Sequence, residues 1–241
     1  MLRRLFWKIY GRLNPTWKGR AQYLQSRYGN SEFRATFGGA LNGQERRREI
    51  VRALLTKWKP DVIIETGTFR GDSTEFLAAF GTVHTVEAND VFFGFCQMRF
   101  LFNRRVHVHK ADSREALRNL SSIARDKRCF IYLDAHWEED LPLREEMEII
   151  REWSEPIVMV DDFQVPDDPG YIYDSYEAGT LNLDYLPELP DFVLYFPAAS
   201  SSEETGKKTG SLVLAKRGAS AELEKDPSWA NLRKNPADRV V

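Results

Sequence analysis

Residues 61–80 read DVIIETGTFRGDSTEFLAAF. The first five residues carry a short run of β-branched apolar side chains, whereas STEFLAAF repeats its apolar residues at helical spacing. A glycine turn joins them. Strand, glycine turn and helix in succession form the place where an open α/β sheet receives a ligand. Gly67 permits the tight turn, Gly71 lets the helix begin close to the strand, and Asp72 or Ser73 is positioned to cap it. The spacing excludes two common ligand classes. A pyrophosphate needs the bare backbone of G-x-G-x-x-G, but this turn is G-x-x-x-G with Phe69 and Arg70 inside it. A Walker loop needs Gly-Lys-Ser/Thr, which does not follow. The turn suits a ligand that carries an adenosyl group without phosphate.

Further apolar runs follow at VHTVE (83–87), VHVHKA (106–111), CFIYLDA (129–135), PIVMVDD (156–162), FVLYF (192–196) and SLVLAK (211–216). Helix-like stretches separate most of them: FGFCQMRFLF (93–102), REALRNLSSIA (114–124) and LREEMEIIREW (143–153). Such alternation predicts a Rossmann-like, doubly wound α/β fold, mostly parallel, with helices on both faces. The last two runs are joined by AASSSEETGKKTGS (198–211), a polar linker without an apolar face, so they should be antiparallel neighbours. The expected sheet has seven strands, with the last one antiparallel. Upstream, FGGALNGQ (37–44) reads as a loop and QERRREIVRALLTKWKP (44–60) as a helix ended by Lys59-Pro60. The expected organisation is a helical extension over 1–36, the main domain over 37–216 and a polar, loosely attached tail over 217–241.

The chain has 241 residues, 42% of them hydrophobic, enough for one sizeable core. Its net charge of -2 provides no positive excess of the kind nucleic-acid binding needs. Cys96 and Cys129 form no metal-ligand spacing, and Cys129 opens a buried strand, so a reduced, cytoplasmic protein is expected. MLRRLFWKIYGRLN (1–14) has the pattern of a basic amphipathic helix, broken by Lys8. It is read as packing on the domain or on a second subunit of a homo-oligomer, with weak membrane-surface contact as the alternative.

Acidic residues recur at the strand ends. Glu65 closes the first strand with Thr66 after it, and Glu87 closes the second, 22 residues later, where a carboxylate can accept from both ribose hydroxyls. Asp112 and Ser113 follow the third, where Asp112 can accept from an adenine amino group. Asp134 and His136 end the fourth, and Asp161 and Asp162 the fifth. Parallel neighbours end on one edge, so these groups should converge beside the glycine turn. Gathered carboxylates repel one another unless protons or a cation intervene, and oxygen ligands suit Mg²⁺ or another hard divalent ion. Such an ion would lower the pKa of a substrate hydroxyl, with His136 the candidate general base.

IIETGTFRG, TVEAND, KADS, IYLDAHW and IVMVDDF, in this order, resemble the class I S-adenosylmethionine-dependent methyltransferases over residues 37–216. The resemblance implies that Glu65, Gly67 and Gly71 surround the methionine part of the cofactor, Glu87 the ribose and Asp112 the adenine, with the LNGQ loop folding over it. Among these enzymes the acidic far edge is similar to the metal-dependent macrocin O-methyltransferase and cephalosporin hydroxylase-like group. This implies a metal held by Asp134, Asp161 and Asp162, with O-methylation of a small-molecule acceptor. The segment after Asp134, AHWEEDLPLREEM, departs from the catechol and caffeoyl-coenzyme A pattern. FQVPDDPGYIYDSYEAGTLNLDYLPELP (163–190) reads as an acceptor-binding lid with Tyr171, Tyr173 and Tyr176 as stacking rings and a short helix near 181–186. Two other readings stay open: a non-catalytic cofactor-binding adaptor, and a nicotinamide-dependent oxidoreductase, against which the G-x-x-x-G turn and the lack of a Tyr-x-x-x-Lys pair argue.

Overall fold

The computed structural model describes residues 10–28, 38–136, 140–225 and 230–235. Its centre is β1 (Val62–Thr66), buried at every position. On one side β1 pairs in parallel with β2 (Val83–Glu87), and β2 with β3 (Val106–Lys110). On the other it pairs in parallel with β4 (Arg128–Leu133), and β4 with β5 (Glu155–Asp161). Sequence order therefore reverses at β1, and the crevice of a doubly wound sheet opens above this switch point. Beyond β5 the sheet continues with β9 (Ser211–Lys216), antiparallel to β5 and to β8 (Phe192–Pro197). A small hairpin, β6 (Ser175–Tyr176) with β7 (Gly179–Thr180), stands apart from it.

Two apolar layers cover the sheet because strand neighbours face opposite sides. Ile64, Ile131, Leu133 and Val160 pack with Leu117, Met147 and Trp153 on one face, which is covered by α5 (Ser113–Ala124) and α6 (Leu143–Ile150). Ile63, Phe130, Tyr132 and Met159 pack with Leu54, Trp58 and Leu77 on the other, which is covered by α2 (Glu45–Trp58) and α3 (Asp72–Leu77). Val106 and Phe95 belong to this second layer, Phe95 being on α4 (Asp90–Arg99). Burial of this order contributes about 1.5–3 kcal/mol per large apolar side chain.

Two expectations about the ends need revision. Among the described residues the sheet has eight strands, not seven. The added one, β10 (Leu232–Lys234), pairs antiparallel with β8, and α7 (Arg217–Leu223) buries Ala219 and Leu223. The region read as a loose tail thus closes a sheet edge; its three-residue LRK strand is too short and polar to show an apolar pattern. At the other end, α1 (Pro15–Tyr28) lies against α4 at close range. A Cβ on Gly19 would collide with the Val91 carbonyl oxygen, and one on Gly94 with that of Thr16. Tyr23 meets Phe95 edge to face at 5.4 Å. Most of the basic amphipathic segment 1–14 lies outside the described residues. Cys96 and Cys129 are buried free thiols. No helix among the described residues is long and apolar enough to cross a membrane.

Candidate active site at the carboxyl edge

The turn after β1 is held by its neighbours rather than by its own capping. Gly67 has φ 83°, and a Cβ there would collide with the Asp134 carbonyl oxygen, so the turn lies against the end of β4. Gly71 has φ 81° and faces the Phe100 ring. It is itself the N-cap of α3, without a side-chain cap. The expected caps do other work: Asp72 pairs with Arg99 at 2.7 Å, and Ser73 Oγ accepts from Leu41 N–H at 3.0 Å. Leu41 belongs to the FGGALNGQ segment, which therefore lies over the start of α3.

Each carboxylate on this half of the edge already has donors from the chain. Glu65, fully buried, accepts from the hydroxyls of Thr74 and Thr85. Burial pushes its pKa up to about 7, against the lowering effect of those two hydroxyls. Glu87 Oε2 accepts from Phe69 N–H and Oε1 from Asn89 N–H, both at 2.7 Å. Burial still raises its pKa. Asp112 caps α5, accepting from Arg114 N–H at 2.9 Å, and its Oδ2 pairs with the Arg114 guanidinium at 2.7 Å. That hydrogen-bonded pairing holds its pKa below the usual range. Ser113 and Thr66 are buried on the α5–α6 side beside Glu146. Burial lifts the Glu146 carboxyl to about 7, against the lowering effect of the Ser113 and Thr66 hydroxyls beside it.

The other half of the edge is arranged differently. Asp161 and Asp162 diverge. Asp161 ends β5 and turns toward the α2 face, where it forms a fully buried ion pair with Arg47 and accepts from Tyr132 OH, Asn42 Nδ2 and Asp162 N–H. Asp162 has left the strand at φ 49°; its Oδ1 still shares the Asn42 amide with Asp161, while its Oδ2 lies 3.9 Å from His136 Nε2. Asp161, in its ion pair with Arg47, is not among the ligand atoms that lie together, and so falls outside the expected metal set. His136 enters it. Asp134, His136 and Asp162 each offer a ligand atom within 4.8 Å of the others.

His136 Nε2 stands 3.8 Å from Asp134 Oδ1, 3.9 Å from Asp162 Oδ2 and 3.6 Å from Asp174 Oδ2. Its side chain is 4% exposed, and Nε2 is closed off from solvent with no hydrogen-bond partner among the described residues. Burial acts to lower the His136 pKa, but Asp162, Asp161 and Asp174 more than reverse this and raise it. For Asp162, burial is outweighed by His136 and Arg47, which hold the carboxyl down at about 2. Asp134 keeps 31% side-chain exposure, and burial together with Asp161 and Asp162 places its pKa well above the ordinary range. The nitrogen expected to act as general base is thus enclosed by acids, while Asp134 is the basic group that solvent still reaches.

Asp174 arrives on the long segment after β5. Its N–H donates to Asp162 O at 2.9 Å, and Tyr176 OH donates to its carboxylate at 2.8 Å. Tyr171, expected as a stacking ring, is instead a core residue whose OH donates to Ala199 O at 3.0 Å. The short helix expected near 181–186 is a 3₁₀ turn at Leu183–Tyr185. Arg47, Glu146 and Asp174 carry no local signal of their role. Arg47 sits inside the ERRR run that opens a helix, and Glu146 in an amphipathic stretch of acids.

No family model and no curated protein matches the chain. Solved structures do. The O-methyltransferase from Bacillus cereus in complex with SAH is 15% identical, with a TM-score of 0.51, covering 85% of this chain and 92% of that one. The O-methyltransferase TomG from Streptomyces achromogenes in complex with SAM is 16% identical, TM-score 0.50, covering 85% and 91%. Cofactor-bound Rv0187 from MTB is 13% identical, TM-score 0.53, covering 85% and 91%. The chain shares its Rossmann-like fold with these methyltransferase structures.

Proposed function

We propose that the protein is an S-adenosylmethionine-dependent O-methyltransferase acting on a hydroxyl of a small molecule, with a divalent cation at the acceptor side. The observation that carries this reading is the row of carboxylates above the switch point, at Glu65, Glu87, Asp112, Asp134 and Asp162, with a glycine turn that has no phosphate cradle. Such a row repels phosphate and accepts from hydroxyl, amino and ammonium groups. That donor demand matches a ribose, an adenine and an amino-acid moiety.

When bound, S-adenosylmethionine supplies an electrophilic methyl group on a sulfonium centre. Glu87 accepts from the ribose hydroxyls with the lone pairs that Phe69 and Asn89 leave open, and Asp112 lies toward the adenine. Glu65 fixes the turn from below through Thr74 and Thr85. That methyl group would pass to the acceptor oxygen as its bond to sulfur breaks, with the electron pair left on sulfur. The hydroxyl proton would leave toward Asp134, the carboxylate of this cluster most open to solvent. The buried His136 nitrogen and its surrounding acids fit a divalent ion, which would orient the hydroxyl and make it more acidic.

Isothermal titration of the full chain with S-adenosylmethionine and with NADH is the deciding experiment. The expected result is saturable binding of the first only. Glu87→Ala should weaken that binding by at least tenfold with the far-UV spectrum unchanged. Binding of NADH instead, or of neither, overturns the proposal.

A further inference from the structure

We infer that His136 is a ligand to the site's cation, together with Asp134, Asp162 and Asp174, so that the site prefers an imidazole-tolerant transition ion such as Mn²⁺ or Co²⁺ over Mg²⁺. This rests on the methyl-transfer reading for what the cation does, but not for the ligand set.

The geometry around Nε2 is that of a potential ligand atom among others. Three carboxylate oxygens from three different segments approach one ring nitrogen at 3.6, 3.8 and 3.9 Å. Beyond about 3.2 Å a nitrogen–oxygen pair is not a good hydrogen bond. Donor atoms that share a cation at about 2.1 Å stand about 3.0–3.4 Å apart; the Asp134, His136 and Asp162 ligand atoms lie within 4.8 Å of one another, so side-chain rotation has to draw them together. The nitrogen is buried and without a partner among the described residues, and such an atom calls for something to satisfy it. Arg47 makes its direct ion pair with Asp161 and not with Asp134, Asp162 or Asp174. An all-oxygen set of Asp134, Asp161 and Asp162 would favour Mg²⁺. Replacing Asp161 by an imidazole nitrogen moves the preference toward softer divalent ions.

Asp174 gives the inference a second consequence. It is carried by the segment after β5, outside the sheet, and is tied to Asp162 through its backbone. Ligation by Asp174 would therefore couple cation binding to the placement of the acceptor segment.

The test is binding of Co²⁺, Mn²⁺ and Mg²⁺ to the full chain by titration calorimetry, without cofactor, for the wild type, His136→Asn and Asp174→Asn. Any mixed oxygen and nitrogen site ranks Co²⁺ above Mg²⁺, so ranking alone decides little. The expected result is a loss of at least tenfold in Co²⁺ affinity on His136→Asn with a smaller loss for Mg²⁺, and a weakening on Asp174→Asn. Pulsed electron paramagnetic resonance of the Mn²⁺-loaded wild type needs no variant and should show a directly bound ¹⁴N. Equal Co²⁺ affinity in His136→Asn, absence of the ¹⁴N coupling, or no cation binding overturns the inference. Loss of Co²⁺ affinity only on His136→Asn, with Asp174→Asn unchanged, removes Asp174 from the set and overturns the four-ligand form. S-adenosylmethionine binding measured on the same samples separates this outcome from failure of the methyl-transfer reading.

Discussion

The two halves of the carboxyl edge handle negative charge in opposite ways. On the β1–β2–β3 half, Glu65, Glu87 and Asp112 each accept from hydroxyls, backbone N–H groups or Arg114. On the β4–β5 half, Asp134, Asp162 and Asp174 crowd a single imidazole nitrogen that none of them reaches by hydrogen bond. The first half is pre-organised by the chain itself. The second is complete only with a proton or a cation among its members. A binding surface for a neutral or cationic cofactor and a cation-dependent reaction centre can thus sit side by side without sharing charge.

The largest expected effect tests what keeps the halves distinct. Arg47 neutralises Asp161 and withholds it from the cluster. Arg47→Met leaves a fully buried carboxylate unpaired and should cost about 3–5 kcal/mol in denaturant unfolding. Adding Asp161→Leu should recover most of that. If Arg47→Met were as stable as the wild type, Asp161 would not depend on Arg47.

The next concerns the self-satisfied half. Glu65 shifts from 4.5 in the reference state to about 7 in the fold. The folded chain therefore holds a proton that the unfolded chain releases in this window. Stability is greatest below the lower value, falls as pH rises to about 7, and is level above it. The fall attributable to Glu65 is about 3 kcal/mol at most. Glu146, raised to about 7 by burial, titrates alongside it. Glu65→Gln should remove about half of the decline in unfolding midpoint between pH 5 and pH 8. Parallel wild-type and variant profiles would contradict the assignment.

Gly67→Ala strikes the seam between the halves, since the new Cβ meets Asp134 backbone at a positive φ. A destabilisation of about 1–3 kcal/mol is expected, accompanied by weaker binding of both cofactor and cation. Loss of only one of the two would show that the seam does not couple them. The smallest change is Asp112→Ala, which removes a helix cap worth about 1 kcal/mol. If cofactor affinity also falls, Asp112 serves the adenine as well as α5; if affinity is unchanged, it is a cap and an Arg114 partner only.

Much of the fold was legible along the chain. The apolar runs from Val62 to Asp161 predict five parallel strands, and the structure pairs them in that way. The polar linker after β8 correctly implied an antiparallel return. LRK at 232–234 was not legible, because an edge strand of three mostly charged residues draws its stability from the Tyr195–Pro197 backbone it pairs with. Asp162 departs from the strand because its backbone is at φ 49°, just beyond the end of β5, which the sequence does not signal. Which of Asp161 and Asp162 meets an arginine is not signalled either, because Arg47 comes from a helix more than a hundred residues earlier.

Hydrophobic periodicity, glycine spacing and acids at strand ends are local properties, and each acts through a residue and its immediate neighbours. They were sufficient to specify the sheet, its switch point and the edge where chemistry can occur. Pairing of buried charges is not local. Arg47 with Asp161, and His136 among Asp134, Asp162 and Asp174, are brought together by packing of distant segments. Desolvation makes every buried charge dependent on whichever partner the fold delivers, and so only the folded arrangement decides which carboxylates are already satisfied and which still need a cation.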